Sequence, residues 1–188
     1  MFARSLTLGV AAAALLAGGA QAADLIIPTT PQPIYEAAGF DWEGLYAGAR
    51  IGGVFADDAA GDTASGFSAG GAVGVNFLPV DPFLVGAEVT GDYVWSDDFL
   101  DQSQFFANLR AGAVVTDSVL VYALGGVGVI TNDVDSYGAY QLGGGVEVAV
   151  TDAVTVRGEV VGQGFFDDEI RDDFFDSAKA TVGVFYHF

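Results

Sequence analysis

From Gly44 to Phe188 the chain alternates with a period of two, and within each alternating run every charge lies on the same parity. In "FLVGAEVTGDYVW" one side carries Phe83, Val85, Ala87, Val89, Gly91, Tyr93 and Trp95, while Glu88 and Asp92 share the other. Successive side chains of a β-strand point to opposite faces, so this pattern predicts strands with one apolar and one mixed face. Eight segments qualify: 45–55, 67–77, 83–95, 104–115, 119–130, 138–150, 154–166 and 178–188, of which only 119–130 is apolar on both faces. Strands of about 11 residues cross a bilayer when tilted.

The charges decide which face meets which solvent. Arg50, Glu88, Asp92, Arg110, Glu147, Arg157, Glu159 and Lys179 are the charged residues of the proposed strands. A water-soluble barrel keeps its apolar face inside and covers its outside with charge. About one charge per strand is too few for such a surface, so the charged face is assigned to the lumen and the apolar face to lipid. Aromatics on the outward parity form two girdles: Phe55, Phe67, Tyr93, Trp95, Phe105, Tyr140 and Phe166 at one end, Phe77, Phe83, Tyr186 and Phe188 at the other. Short turns at 79–82, 116–118 and 151–153 take turns with longer polar loops at 56–66, 96–103, 131–137 and 167–177. The expected fold is all-β, an eight-stranded antiparallel transmembrane up-and-down β-barrel. Closure satisfies every backbone group that lipid leaves unpartnered, and an even strand count puts both chain ends on the periplasmic side.

The N-terminus fits that destination. Arg4 precedes the apolar run "LTLGVAAAALLAGGA" and the small-residue site at Ala20 and Ala22, the pattern of a secretory signal peptide cleaved after Ala22. Residues 23–43, with Pro28, Pro31 and Pro33, read as a periplasmic lead, and 44–188 as the barrel. The chain holds 25 acidic residues against 6 basic ones, which excludes nucleic acid as a partner, since the phosphates would meet no cationic surface. It has no cysteine.

Inside the barrel, four bases (Arg50, Arg110, Arg157, Lys179) balance four acids (Glu88, Asp92, Glu147, Glu159). An eight-stranded barrel is only wide enough for side chains to fill, and buried charges must pair, so a salt-bridged plug is favoured over an open pore. The outer loops are acidic, and Asp167, Asp168, Asp172 and Asp173 in "DDEIRDD" are weak candidates for holding a divalent cation between the protein and lipopolysaccharide. That stretch lacks the central Gly and distal Glu of an EF-hand. No cofactor is indicated.

The chain resembles the small eight-stranded outer-membrane β-barrel proteins of Gram-negative bacteria, often described as "porin family" or "outer membrane protein beta-barrel domain". The likeness rests on W-x-G-x-Y-x-G at Trp42, Gly44, Tyr46 and Gly48, on "GGAVGVNF", and on "GGGVEVAVTDAVTVRGEV". Val148, Thr181 and His187 depart from the pattern, standing where an aromatic or basic residue is often found in that family. The last strand, with Val182, Val184, Tyr186 and Phe188 outward, resembles the signal by which the outer-membrane assembly machinery recognises its substrates. Some relatives are enzymes that need a His at the outer rim, but the one His here, His187, is a residue from the periplasmic end and is expected to make structural hydrogen bonds at the bottom of the lumen. Members of the family have also been linked to haemin binding and host contact, but no residue here carries that over: there is no exposed His or Cys to ligate iron, which leaves only Tyr137 and Tyr140 at the third loop. The expected role is a non-enzymatic contribution to envelope structure, with a small-solute pore or a surface binding protein as the alternatives.

Overall fold

The structure, a computed structural model, describes residues 39–57, 63–97, 100–132, 134–166 and 175–188. The proposed signal peptide, most of the lead, and Asp167, Asp168, Asp172 and Asp173 lie outside the described residues.

Eight strands run β1 (Gly44–Asp57), β2 (Thr63–Val80), β3 (Phe83–Trp95), β4 (Gln102–Thr116), β5 (Val119–Asn132), β6 (Ser136–Ala149), β7 (Val154–Phe165) and β8 (Ser177–His187). Each pairs antiparallel with its neighbour in sequence, and β1 pairs with β8 from Tyr46↔His187 to Ala56↔Ser177, closing the barrel. A closed sheet has no unpaired edge within its span, the condition for lying in lipid.

Five of the strands, β1, β2, β4, β5 and β6, are longer than the alternation alone indicates, and β3 has the expected bounds. β1 and β2 continue pairing to Asp57↔Thr63 through "TASG", whose polar residues read as loop. The third outer connection is also shorter than the expected 131–137. The Asn132 amide nitrogen donates to the Asp135 carbonyl, and the Asn132 side-chain oxygen accepts from the Val134 and Asp135 amides, so the chain reverses between Asn132 and Ser136.

The two parities separate fully. Leu109, Val89, Val127, Val160 and Val182 are more than half exposed on the outside, as are Phe67, Phe77, Phe83 and Phe105 in the girdles. Phe175, from the last outer connection, turns outward and covers the lipid-facing Gly162. The inward parity is buried and is layered along the barrel axis. At the periplasmic end Trp42, Leu84 and Leu120 form an apolar floor with Phe40, Leu78, Val114 and Ala149. The last residues of the expected lead are thus built into the barrel, and the Phe40 amide is anchored on the Asp117 carbonyl. Towards the outer end Phe106, Ile130, Ala139 and Phe165 make a second apolar layer. Polar side chains fill the space between.

Candidate functional site

The eight charged residues of the inward parity come from six strands and form two groups of two bases and two acids. The first group lies above the floor. Arg157 reaches Glu88 at 2.5 Å through Nη1 and Glu147 at 2.9 Å through Nη2. Arg110 reaches Glu147 at 3.0 Å and Glu88 at 3.7 Å. Tyr46 links the partners, donating to Glu88 Oε2 at 2.8 Å and accepting from Arg110 Nη1 at 2.6 Å. Thr155 donates to Glu147 Oε1 at 2.6 Å. Both guanidiniums lie over aromatic rings, Arg157 over Phe185 at 3.8 Å and Arg110 over Tyr122 at 3.9 Å, where the ring quadrupole offsets part of the lost hydration.

The second group lies nearer the outer end. Arg50 grips Asp92 through Nε at 2.9 Å and through Nη2, and its Nη1 is 3.0 Å from Glu159. Lys179 donates to Asp92 at 2.9 Å and to Gln104 Oε1 at 2.9 Å. Tyr122 joins the groups, because its hydroxyl donates to Glu159 Oε2 at 2.7 Å while its ring carries Arg110. Above them Gln163 donates to the side-chain oxygens of Gln104 and Gln141, and Gln141 donates to Asn108.

Backbone choice makes this packing possible. A Cβ on Gly74 would collide with the Tyr46 ring, and one on Gly145 with the Tyr122 hydroxyl. The inward glycines therefore set aside the volume that long side chains from the neighbouring paired strands occupy. None of the eight charged side chains is more than 3 % exposed. Charges so enclosed are tolerable only with near-complete pairing, because removing a single partner strands the other in a low dielectric.

His187 sits at the lower rim of the first group. Its Nε2 is 3.1 Å from Glu147 Oε1, its ring stacks on Tyr46, and the edges of Phe40 and Trp42 close over it. Its hydrogen-bond partner at the base of the lumen is thus Glu147. Tyr137 and Tyr140 do not converge. Tyr137 lies edge-on to Phe165 on the inward parity and Tyr140 lies against Phe166 on the outward one, so one iron cannot take both hydroxyls. Among the described residues no group of three or more His, Asp or Glu side chains is arranged to hold a metal ion. Val182, Val184, Tyr186 and Phe188 all face outward, at half exposure or more.

The sequence matches the outer membrane protein beta-barrel domain family over residues 10–188. The chain belongs to this family. It is an outer-membrane β-barrel of a Gram-negative bacterium. Among solved structures it is similar to Neisserial surface protein A at 17 % identity and a TM-score of 0.53, with 77 % of this chain and 97 % of that one covered. It is also similar to the N-terminal β-barrel domain of Pseudomonas aeruginosa OprF at 13 % identity and a TM-score of 0.54, covering 78 % and 98 %. At these identities the likeness is one of fold. No curated protein matches the sequence.

The comparison bears directly on the geometry of the barrel interior. An outer-membrane barrel has lipid outside and polar residues inside, and here the polar residues fill their space completely enough to bury every charge. Sequence reading by charge overlooked Tyr46, Tyr122, Gln104, Asn108, Gln141 and Gln163. All six share the inward parity of their strands, the one signal that would have found them.

Proposed function

We propose that the protein is a closed, non-enzymatic barrel that contributes to outer-membrane structure and displays acidic connections to the exterior. One observation supports the reading: all eight lumen charges are paired and buried between two apolar layers, the arrangement a plug requires. The sole histidine lies at the periplasmic end, engaged with Glu147, far from the outer rim where a hydrolytic site would meet lipid. In this reading the chain is exported by cleavage after Ala22 and handed to the barrel assembly machinery through Val182, Val184, Tyr186 and Phe188. Its outer carboxylates meet lipopolysaccharide through divalent cations, the hard ions that oxygen ligands suit.

The deciding experiment is single-channel recording in planar bilayers. Wild type folded from residues 23–188 is expected to give no unitary currents. Arg110→Ala removes one base from the first group and the side chain that fills the axis, and is expected to leak. Stable wild-type channels would replace the closed reading with solute diffusion.

A further inference from the structure

Beyond the lumen, the described surface carries a concave polar site, an open groove of about 650 Å³ at the outer rim between β2 and β3. Its walls are Ser65, Phe67, Trp95, Ser96, Asp97 and Asp101. Phe67 and Trp95 are directly opposed across the β2–β3 pair and stack with ring centroids 5.8 Å apart and planes 27° from parallel. Tyr93 packs on Trp95 at 4.8 Å. The wall is organised by hydrogen bonds: Ser96 Oγ donates to the Ser65 carbonyl at 2.6 Å, and Asp101 accepts from the Ser96 amide at 3.2 Å and the Tyr93 hydroxyl at 3.3 Å. These bonds arise where β2 runs past the end of β3, so that residues 63–66, paired with β1, have no β3 partner on their other side.

We infer that this groove binds an organic ammonium group. An aromatic stack supplies a negative π-face, which attracts a cation and does so best when the cation carries little hydration. Asp97 and Asp101 add full negative charge on the same wall. In sequence the outer connections hold one base, Arg171, against many acids, a balance that favours cations over anions at this end. Sodium or magnesium would leave the aromatic wall unused. A neutral sugar would use the rings and leave the charge unused. A methylated or primary ammonium uses both. The site lies at the girdle, where water and headgroups meet, so the ammonium can arrive as a soluble molecule or as a lipid headgroup. The inference is independent of whether the lumen conducts.

Trp95 is a built-in reporter once the second tryptophan is removed by Trp42→Phe. The full chain with that substitution, in a polyoxyethylene detergent that carries neither sugar nor ammonium, would be titrated with tetramethylammonium chloride against sodium chloride at equal ionic strength. A saturable change in Trp95 emission specific to tetramethylammonium is expected. Phe67→Leu should weaken the apparent affinity about threefold and Asp97→Asn about fivefold, with far-UV circular dichroism establishing that each variant is folded. In vesicles, an emission difference between phosphatidylcholine and phosphatidylglycerol that Asp97→Asn abolishes would support a headgroup as the source. The inference is overturned if sodium matches tetramethylammonium and the two lipids give the same emission. It is equally overturned if maltose produces the saturable response, which would make the site a sugar platform, or if folded Phe67→Leu and Asp97→Asn bind as wild type does.

Discussion

Asp92 shows how the lumen works at the scale of single residues. It holds Arg50 with both carboxylate oxygens and takes Lys179 as well, so its charge is shared between two bases. Asp92→Asn would leave Arg50 and Lys179 facing Glu159 alone, an uncompensated buried cation that is expected to cost about 3–5 kcal/mol. Adding Lys179→Met restores a one-to-one balance, so the double variant should be more stable than the Asp92→Asn single variant. Urea unfolding in bilayers measures the cycle, and a double variant less stable than the single one would show that charge balance is not what the layer needs. Glycines give a second contrast at this scale. A Cβ on the inward Gly52 would strike the Ala180 carbonyl oxygen, whereas one on the outward Gly158 meets nothing within 4 Å. Gly52→Ala should therefore lose about 1–3 kcal/mol, and Gly158→Ala should leave the unfolding midpoint unchanged or raise it slightly.

The strands themselves were the most legible elements, because alternation in a membrane barrel is enforced on both sides at once. One misplaced charge in lipid costs several kcal/mol, so parity is kept cleanly along β3 and β7 and could be read without knowing any partner. The identity of the inward charges followed from the same parity. Their pairing did not, because which side chains meet across the axis depends on the stagger between strands, and no single strand encodes it. Arg157 and Glu88, for instance, are 69 residues apart in sequence and meet only once the barrel is closed. Connections were least legible. "TNDVDS" reads as a polar loop by composition, and only the Asn132 side-chain bonds reveal a tight reversal. The floor escaped for another reason: Phe40 and Trp42 precede the first alternating run, so periodicity assigned them to the lead. Their burial yields a prediction for the element. With Trp95→Phe in place, Trp42 is the only tryptophan; at 2 % exposure its emission should be blue-shifted and resist acrylamide. Phe40→Ala should red-shift that emission and admit the quencher. Free quenching of Trp42 in folded, otherwise intact protein would mean the floor does not close the barrel.

Over the whole molecule, charge is divided by compartment. The lumen is neutral, with its four bases and four acids paired internally. By sequence position, fourteen acids and one base, Arg171, belong to the outer connections and the strand ends that flank them, and seven acids with no base belong to the short turns and to residues 23–43. Nearly the entire net charge of −19 therefore belongs to residues other than the lumen-facing ones. These two populations respond differently to salt. Raising ionic strength from about 0.01 M to about 0.15 M shortens the screening length from about 30 Å to about 8 Å, which weakens repulsion among the exposed acids and barely touches pairs shielded from solvent. Self-repulsion destabilises the compact state, so screening it should stabilise the barrel, by on the order of 1 kcal/mol. The test is a urea midpoint in neutral micelles at the two sodium chloride concentrations, free of divalent ions. An upward shift is expected, and the Asp92→Asn, Lys179→Met double variant should shift equally, since the lumen charges do not contribute. A fall in the midpoint with salt, or a fall that the double variant abolishes, would mean that ions reach the lumen pairs, and with that the barrel could not be closed.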